Sequence, residues 1–302
     1  MKQKIFTKKR IKDSVTGWLF NAPLAIGLLV FTFVPIVSSL IYSFYDYDVV
    51  SRMDFVGFEN YMKIFTTDRS ETYKSALNTF LYTFINIPLT LILSYLLAVL
   101  VNKKIKGVSI FRVLYYLPVM IPAVVSGLLW KDIFDPTYGI LNRFLGIFGL
   151  PPSQFFKGEQ TALMSVFIMN MWYIGGGMIL WLAAFKAIPN EVYESADIDG
   201  ASKLTKLLRI TIPMSTSMIF FNIVTMMIGT LQYNGPLTFA DRFGRGVKDS
   251  LYMYAVKIYW EAFQRANVGY ASALAWMLLL IIAALTYLLF KTSGWVYYGE
   301  ES

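Results

Sequence analysis

A charged stretch that suits contact with water separates two long apolar runs of this chain: Ile188-Pro189-Asn190-Glu191-Val192-Tyr193-Glu194-Ser195-Ala196-Asp197-Ile198-Asp199-Gly200-Ala201. Pro189 suits the start of a helix, where its missing N–H is not needed. The positive end of the helix dipole favours acidic residues in the turns that follow. Gly200 breaks the helix, a short basic helical stretch comes next, and Pro213 opens the second apolar run. The segment 186–213 is therefore predicted to be a surface helix, a glycine bend and a return into the membrane.

Uncharged apolar runs recur along the 302 residues, which are 56% hydrophobic and 15% charged. Roughly 20 helical residues cross a bilayer core about 30 Å thick. Six runs are near or above the required length: 14–45, 75–102, 113–130, 160–185, 210–240 and 266–290. We therefore predict an all-α, polytopic membrane protein with six transmembrane helices in a single transmembrane domain, 1–302. The first run is longer than the apolar core of a signal peptide, so its cleavage is not expected.

The net charge of +8 falls on one side of the membrane if the N-terminus lies inside. The excess of Lys and Arg then lies in 1–13 of the basic tail 1–16, in 103–112, in 186–209 and in the C-terminal tail. This distribution is the positive-inside pattern, and six passes put both termini in the cytoplasm. The tail is expected to lie near anionic lipid. Nucleic-acid binding is not expected, because no folded domain presents a basic face.

The sequence contains neither Cys nor His. Disulfides, Cys/His zinc sites and Ser-His or Cys-His nucleophilic pairs are therefore excluded. A phosphate-binding P-loop motif is also lacking, so the chain is not expected to hydrolyse ATP by itself. The apolar runs hold no ionisable side chains, which argues against proton coupling. Paired carboxylates are expected only in exposed loops. These features indicate a transport conduit rather than an enzyme. A partner protein would drive it by binding the segment 186–213. The alternative interpretation is that this segment is a solvated connector.

Two prolines four residues apart interrupt the third run, in Leu117-Pro118-Val119-Met120-Ile121-Pro122. Each proline removes a helical hydrogen bond, so a break is predicted there. The freed carbonyls could line a cavity, or the break could be a packed kink, and both interpretations stay open. The three glycines at 175–177 allow either close packing of helices or space beside a ligand.

The segment 186–213 resembles the EAA motif in permease subunits of binding-protein-dependent ABC importers, roughly E-A-A-x-x-D-G-A followed by I-x-L-P. The matching residues are Glu194, Asp199, Gly200, Ala201, Ile210 and Pro213, whereas Ser195 stands for Ala and Ile212 for Leu. Other stretches are similar to the carbohydrate branch of these importers: 57–61, 78–80, 111–118, 138–142 and 269–273. Within that branch the chain resembles the MalF/UgpA-like subunit. We call the segment 186–213 the EAA loop.

The resemblance implies a type I ABC importer permease fold in the cytoplasmic membrane of a bacterium or archaeon. It also implies the partners: a second, MalG/UgpE-like permease, two ATPase subunits that each hold one EAA loop, and an extracytoplasmic sugar-binding protein. ATP and Mg would bind the ATPase subunits, with no cofactor or metal in this chain. In the EAA loop, Glu194 would engage the ATPase, Asp199 would cap or pair locally, and Gly200, followed by Ala201, would permit the bend.

Polar and aromatic residues in two runs are candidates for the substrate pathway, because sugars bind to aromatic surfaces, amides and hydroxyls. Those in each run recur at the spacing of one helix face, except Thr230, which adjoins the face in the fifth run. The candidates are Asn170, Tyr173 and Gly177 in the fourth run and Asn222, Met226, Gly229, Thr230 and Tyr233 in the fifth. The alternative is that their side chains only join neighbouring helices.

We therefore expect a subunit of a sugar importer, with a neutral oligosaccharide favoured because the apolar runs offer no cation. A permease for glycerol 3-phosphate or a polyol is the alternative within the class, and the partner permease could supply the charge that a phosphate needs. A secondary carrier or channel is the alternative from a different class. Uptake that survives loss of the ATPase and runs on an ion gradient would identify it.

Overall fold

The computed structural model describes residues 8–103 and 106–297. The first span consists of α1 (Lys8–Leu28) and α2 (Val34–Tyr42), joined by a π-helical turn, Leu29–Phe33. Pro35 lies just beyond this turn and cannot donate a helical hydrogen bond, which accounts for the local widening of the helix. Residues 1–7 of the predicted basic tail lie outside the described part, and α1 already includes its remaining residues.

Two further helices cross the bundle without a break: α4 (Arg69–Val101) and α16 (Val268–Lys291). Each is long and apolar enough to span a membrane, as is the stretch Ser14–Tyr42. Helix α4 starts six residues earlier than the predicted run, because its first turns are polar and contact neighbouring elements instead of lipid. Pro88 lies inside α4 without interrupting it.

The other three spans are bent pairs of helices. Helix α5 (Val108–Tyr116) continues as a 3₁₀ turn, Leu117–Met120, and then meets α6 (Ala123–Ile133) at 98°. Helices α8 (Ala162–Met171) and α9 (Ile174–Ala187) meet at 45°. The bend is 62° between the segment Lys203–Met214 and the fifth-span helix Thr216–Leu231. With each pair counted as one span, the described residues contain the six predicted spans.

The connection after α9 follows the predicted order of helix, bend and helix. It contains α10 (Asn190–Ile198), α11 (Lys203–Lys206), a π-helical turn (Leu207–Thr211) and α12 (Ile212–Met214), and it leads into α13 (Thr216–Leu231). Pro189 is the N-cap residue of α10 and lies one position before the helix begins.

A two-stranded hairpin departs from the helical plan. Strands β1 (Tyr45–Tyr47) and β2 (Met53–Phe55) pair antiparallel and are followed by α3 (Glu59–Phe65). In the turn between the strands, Asp48 accepts a hydrogen bond from the Ser51 hydroxyl and from three backbone N–H groups. These bonds hold the pKa of the Asp48 carboxyl well below its usual range. We call this side of the bundle, where α4 begins, the hairpin end, and the opposite side the EAA end.

The hairpin end also carries the shorter helices of the two remaining connections. These are α7 (Ile140–Ile147), a 3₁₀ turn (Phe155–Lys157), α14 (Pro236–Phe239), a 3₁₀ turn (Val247–Asp249), α15 (Tyr254–Tyr259) and a π-helical turn (Trp260–Gln264). A last 3₁₀ turn, Ser293–Trp295, follows α16 at the EAA end.

The connection 236–265 is buried in part. Tyr252, Met253, Val256 and Lys257 in this loop are all fully buried, because they pack beneath α4 and α16. The Lys257 ammonium lies 2.6 Å from the Asp68 carboxylate and 3.6 Å from Glu71. The expectation that carboxylates occur only in exposed loops is therefore wrong.

Candidate functional site

The EAA loop is a helix closed by a defined C-terminal motif. Gly200 adopts a left-handed conformation, φ +70°, which glycine tolerates without steric cost. The Ala201 N–H donates to the Ala196 carbonyl at 2.9 Å, and the Gly200 N–H donates to the Asp197 carbonyl at 3.1 Å. This pair of bonds is a Schellman motif, which satisfies carbonyls that the end of α10 leaves without partners. The chain therefore turns sharply at Gly200 with few free backbone groups.

The second half of the EAA loop is capped and tied back to α10. The Ser202 side chain accepts a hydrogen bond from the Thr205 N–H at 3.1 Å, which caps α11. The Lys206 ammonium pairs with the Asp197 carboxylate across the bend. Asp199 occupies the C-cap of α10 and is exposed, and none of the ion pairs among the described side chains involves it. These contacts fix the angle between α10 and α11.

The base of the EAA loop is attached to the membrane helices. The Tyr193 hydroxyl lies 2.9 Å from Oγ1 of buried Thr211, in the π-helical turn before α12. Leu207 and Ile212 pack against a core cluster of α4 and α9 that includes Val101 and Trp181. A push on α10 would therefore reach α4, α9 and the start of α13 through contacts that already exist.

The outer side of the EAA loop is open. Glu194 is exposed, and no atom lies within 4 Å of the position that a Cβ on Gly200 would take. Ile198 is 88% exposed and Leu204 64% exposed. Burying large apolar side chains is favourable by about 1.5–3 kcal/mol each, and these two lie at the same bend. The surface offers several exposed carboxylates, Glu194 and Asp199 among them, beside two apolar side chains, a combination that suits protein contact.

The breaks in the spans meet around a second site. This site is a cavity with a volume of about 280 Å³. Its wall combines the break before α6, the break between α8 and α9, and the end of α13. We call it the break cavity, and its polar lining residues are Ser126, Asn170, Tyr173, Tyr233, Asn234 and Thr238. Discontinuous helices surround substrate sites in many transporters, because unwound backbone can line a cavity there.

Three of the predicted pathway residues line this cavity: Asn170, Tyr173 and Tyr233. The Asn170 amide donates to the Tyr82 hydroxyl at 2.7 Å, and the Tyr82 ring stacks on Tyr233 with centroids 4.5 Å apart. The hydroxyls of Ser126 and Tyr233 are buried and have no hydrogen-bond partner among the described residues. Tyr82 and Ser126 were not singled out from the sequence, since each lies in a run whose periodicity does not mark a polar face.

The other predicted pathway residues lie elsewhere. A Cβ on Gly177 would come within 2.9 Å of Ser94, so this glycine packs α9 against α4. Asn222 and Thr230 are buried and donate to carbonyls of their own helix, those of Met218 and Met226. Met226 is half-buried, and Gly229 faces open space on the exposed side of α13.

The comparisons with known proteins agree with this architecture, although no protein-family model matches the chain. The chain is 34% identical to "Probable ABC transporter permease protein YesP" of Bacillus subtilis, over 96% of this chain and 94% of that protein. It is 28% identical to "Lactose transport system permease protein LacF" of Rhizobium radiobacter, over 93% and 95% of the two chains.

A solved structure shares the fold. It is described as a bacterial alginate ABC transporter in complex with an alginate pentasaccharide-bound periplasmic protein, and it superposes with a TM-score of 0.84 at 20% identity. The superposition covers 95% of this chain and 97% of that one. The chain is accordingly a multi-pass membrane protein with an ABC importer permease fold, and its relatives are transporter subunits rather than enzymes. Several relatives of 27–28% identity are permeases of carbohydrate transport systems, and this chain belongs to the ABC transporter permease proteins.

Proposed function

We propose that this chain is the MalF/UgpA-like half of an ATP-driven importer for a neutral oligosaccharide. It pairs with a MalG/UgpE-like permease to form the pathway, two ATPase subunits that bind ATP and Mg drive the cycle, and an extracytoplasmic binding protein delivers the sugar. The EAA loop and both chain termini lie in the cytoplasm. ATP hydrolysis takes place on the partners, and this chain transmits the resulting motion.

The observation that carries the coupling role is the form of the EAA loop. It is exposed at its tip, where Glu194 and Ile198 lie, and joined to the spans at its base through Tyr193 and Thr211. The bend at Gly200 is held by backbone bonds and by the pair of Asp197 with Lys206. A rigid element with one free apolar tip can transfer force from a partner to α13. A solvated connector would need neither the defined bend nor exposed isoleucine.

The break cavity supports a neutral substrate. Its described lining residues carry amides and hydroxyls but no charged side chain. A phosphate or carboxylate buried there would lack a compensating cation from this chain, which is costly. The aromatic side chain of Tyr173 suits a sugar ring, and the free hydroxyls of Ser126 and Tyr233 suit its hydroxyl groups. Glycerol 3-phosphate would require a cation from the second permease.

The test is Gly200→Val in the complete importer reconstituted into vesicles. A Cβ at Gly200 meets no neighbouring atom, so the substitution acts through the left-handed backbone, which costs a side chain roughly 1–2 kcal/mol. The four kinds of subunit should still assemble, while sugar uptake falls several-fold and ATP hydrolysis continues. The matched control is Gly149→Val, since Gly149 has φ +68° and equally open surroundings at the hairpin end.

Normal uptake by the Gly200→Val importer would count against the coupling role. Uptake that persists without the ATPase subunits and follows an ion gradient would instead indicate a secondary carrier or channel.

A further inference from the structure

An open cleft between α4 and α5 lies at the EAA end, apart from the break cavity. It has a volume of about 400 Å³. Leu97 and Val101 of α4 form its buried floor, and the exposed side chains of Leu100, Phe111 and Tyr115 form its walls. The cleft is therefore a mainly apolar groove near the end of α4. We call it the α4–α5 cleft.

Two lysines line the mouth of the α4–α5 cleft, and an arginine is bound to the backbone of its floor. Lys103 and Lys106 line it and are exposed. The Arg112 guanidinium donates to the Val101 carbonyl at 2.7 Å, which fixes its charge at the C-terminal end of α4. None of the ion pairs among the described side chains involves these three residues. The sequence also contains no Asp or Glu between 72 and 131, so neither α5 nor the part of α4 that forms the cleft carries a carboxylate.

Apolar walls and a cationic mouth are complementary to an anionic phospholipid. An acyl chain fits against Leu97, Leu100 and Phe111, and a negative headgroup lies between Lys103 and Lys106. Basic pockets between membrane helices bind such headgroups, because each Lys or Arg near the bilayer surface attracts anionic lipid. We propose that the α4–α5 cleft is a binding site for an anionic phospholipid such as phosphatidylglycerol.

The charge pattern favours this occupant over another protein helix. A helix packed in the cleft would bury Leu100 and Phe111 equally well, but it would need its own carboxylates to match three cations. A lipid supplies the apolar chain and the anion in one molecule at the correct depth, since the cleft ends where α4 leaves the bilayer. The experiment below distinguishes this lipid from a helix of another subunit and from a free phosphate.

The experiment uses the complete importer in vesicles that contain a phospholipid with a photoactivatable group in its acyl chain. The probe is phosphatidylglycerol in one sample and phosphatidylcholine in the other, at equal mole fraction. After illumination, crosslinked peptides are mapped by mass spectrometry. Phosphatidylglycerol should label 97–101 and 108–115 several-fold more than phosphatidylcholine does.

Lys103→Gln and Lys106→Gln should each lower the phosphatidylglycerol signal about fivefold, the equivalent of about 1 kcal/mol per lysine. Leu100→Trp, which fills the cleft from its wall, should lower it without changing the charge. The matched control is Lys291→Gln, an exposed lysine at the same end of the bundle that does not line the cleft. This control should leave labelling of the two segments unchanged.

Three results would overturn the proposal. Equal labelling by the two lipids, unaffected by the lysine substitutions, would show an unspecific lipid-facing surface. Protection of both segments from either lipid would show that another subunit covers the cleft. Loss of the phosphatidylglycerol signal on adding glycerol phosphate, which has no acyl chains, would show a site for free phosphate. Each readout is independent of sugar transport.

Discussion

The hydroxyl of Tyr193 lies 2.9 Å from Oγ1 of Thr211, so a hydrogen bond joins the exposed helix α10 to the turn that leads into α13. The two residues are 18 positions apart, and Thr211 is buried. This contact closes the EAA loop at its base. Motion at the tip of α10 can then reach the membrane helices without first unfolding the connection.

Tyr193→Phe removes this bond and keeps the ring. A typical hydrogen bond contributes about 1 kcal/mol, so the subunits should still assemble. We expect more ATP to be hydrolysed for each sugar imported, measured as the ratio of phosphate release to uptake in vesicles. Tyr138→Phe, which removes a hydroxyl contact with Asp132 at the hairpin end, should leave the ratio unchanged. Equal ratios for both variants would refute a role for Tyr193 in force transfer.

The adjacent glycines 175 and 176 should differ sharply in their tolerance of alanine. A Cβ on Gly175 would lie 1.9 Å from the Tyr115 carbonyl oxygen, whereas one on Gly176 would meet Val119 at an ordinary 3.6 Å. Gly175→Ala must therefore shift α9 away from α5, at a cost of about 1–3 kcal/mol. Thermal unfolding of the purified protein in detergent should show a lower Tm for Gly175→Ala and little change for Gly176→Ala. The reverse order would contradict the packing.

Asn170 either only joins helices or also binds sugar, and a comparison with a Tyr82 variant distinguishes the two roles. If Asn170 only joins helices, its loss and the loss of the Tyr82 hydroxyl should have similar effects, because they share the 2.7 Å bond. If Asn170 also binds sugar in the break cavity, Asn170→Ala should raise the KM for uptake well beyond the effect of Tyr82→Phe. The measurement is the KM for sugar uptake by the two variants, compared under conditions in which both proteins are equally stable. Equal KM values would remove Asn170 from the pathway.

Lys257 should be intolerant of simple replacement. Its side chain is fully buried against Asp68 and Glu71, and removing one partner of a buried ion pair costs about 3–5 kcal/mol. Lys257→Met should therefore reduce the yield and the Tm of the folded protein. Adding Asp68→Asn should recover part of the loss, since it removes the carboxylate left without its partner. A double variant no more stable than the single one would show that the pair itself is not the cause.

Much of the membrane architecture follows from local sequence. Six apolar runs predict six spans, and the prolines at 118 and 122 predict the 98° break, because proline cannot donate the helical bond. The left-handed Gly200 likewise agrees with the predicted bend. In these cases the structure depends on the backbone preference of one residue or on the hydrophobicity of one short run.

The remaining features depend on contacts between distant residues. The 45° bend between α8 and α9 contains no proline. In the connection 236–265, Lys257 is fully buried and pairs with Asp68, a residue nearly two hundred positions earlier. Similarly, Gly177 shares a helix face with Asn170 and Tyr173, but the packing of α9 on Ser94 removes it from the break cavity. Periodicity marks a face and does not identify the neighbour that covers it.

Site-directed crosslinking tests the central claim most directly, and the absence of native Cys makes every introduced thiol unique within this chain. Ile198→Cys and Ile147→Cys place a thiol on residues that are 88% and 78% exposed at opposite ends of the bundle. In the assembled importer, a short bifunctional thiol- and amine-reactive reagent should join Ile198→Cys to an ATPase subunit, and Ile147→Cys should not react with that subunit. Failure of Ile198→Cys to reach an ATPase, or its labelling by a membrane-impermeant maleimide added outside the cell, would contradict the account.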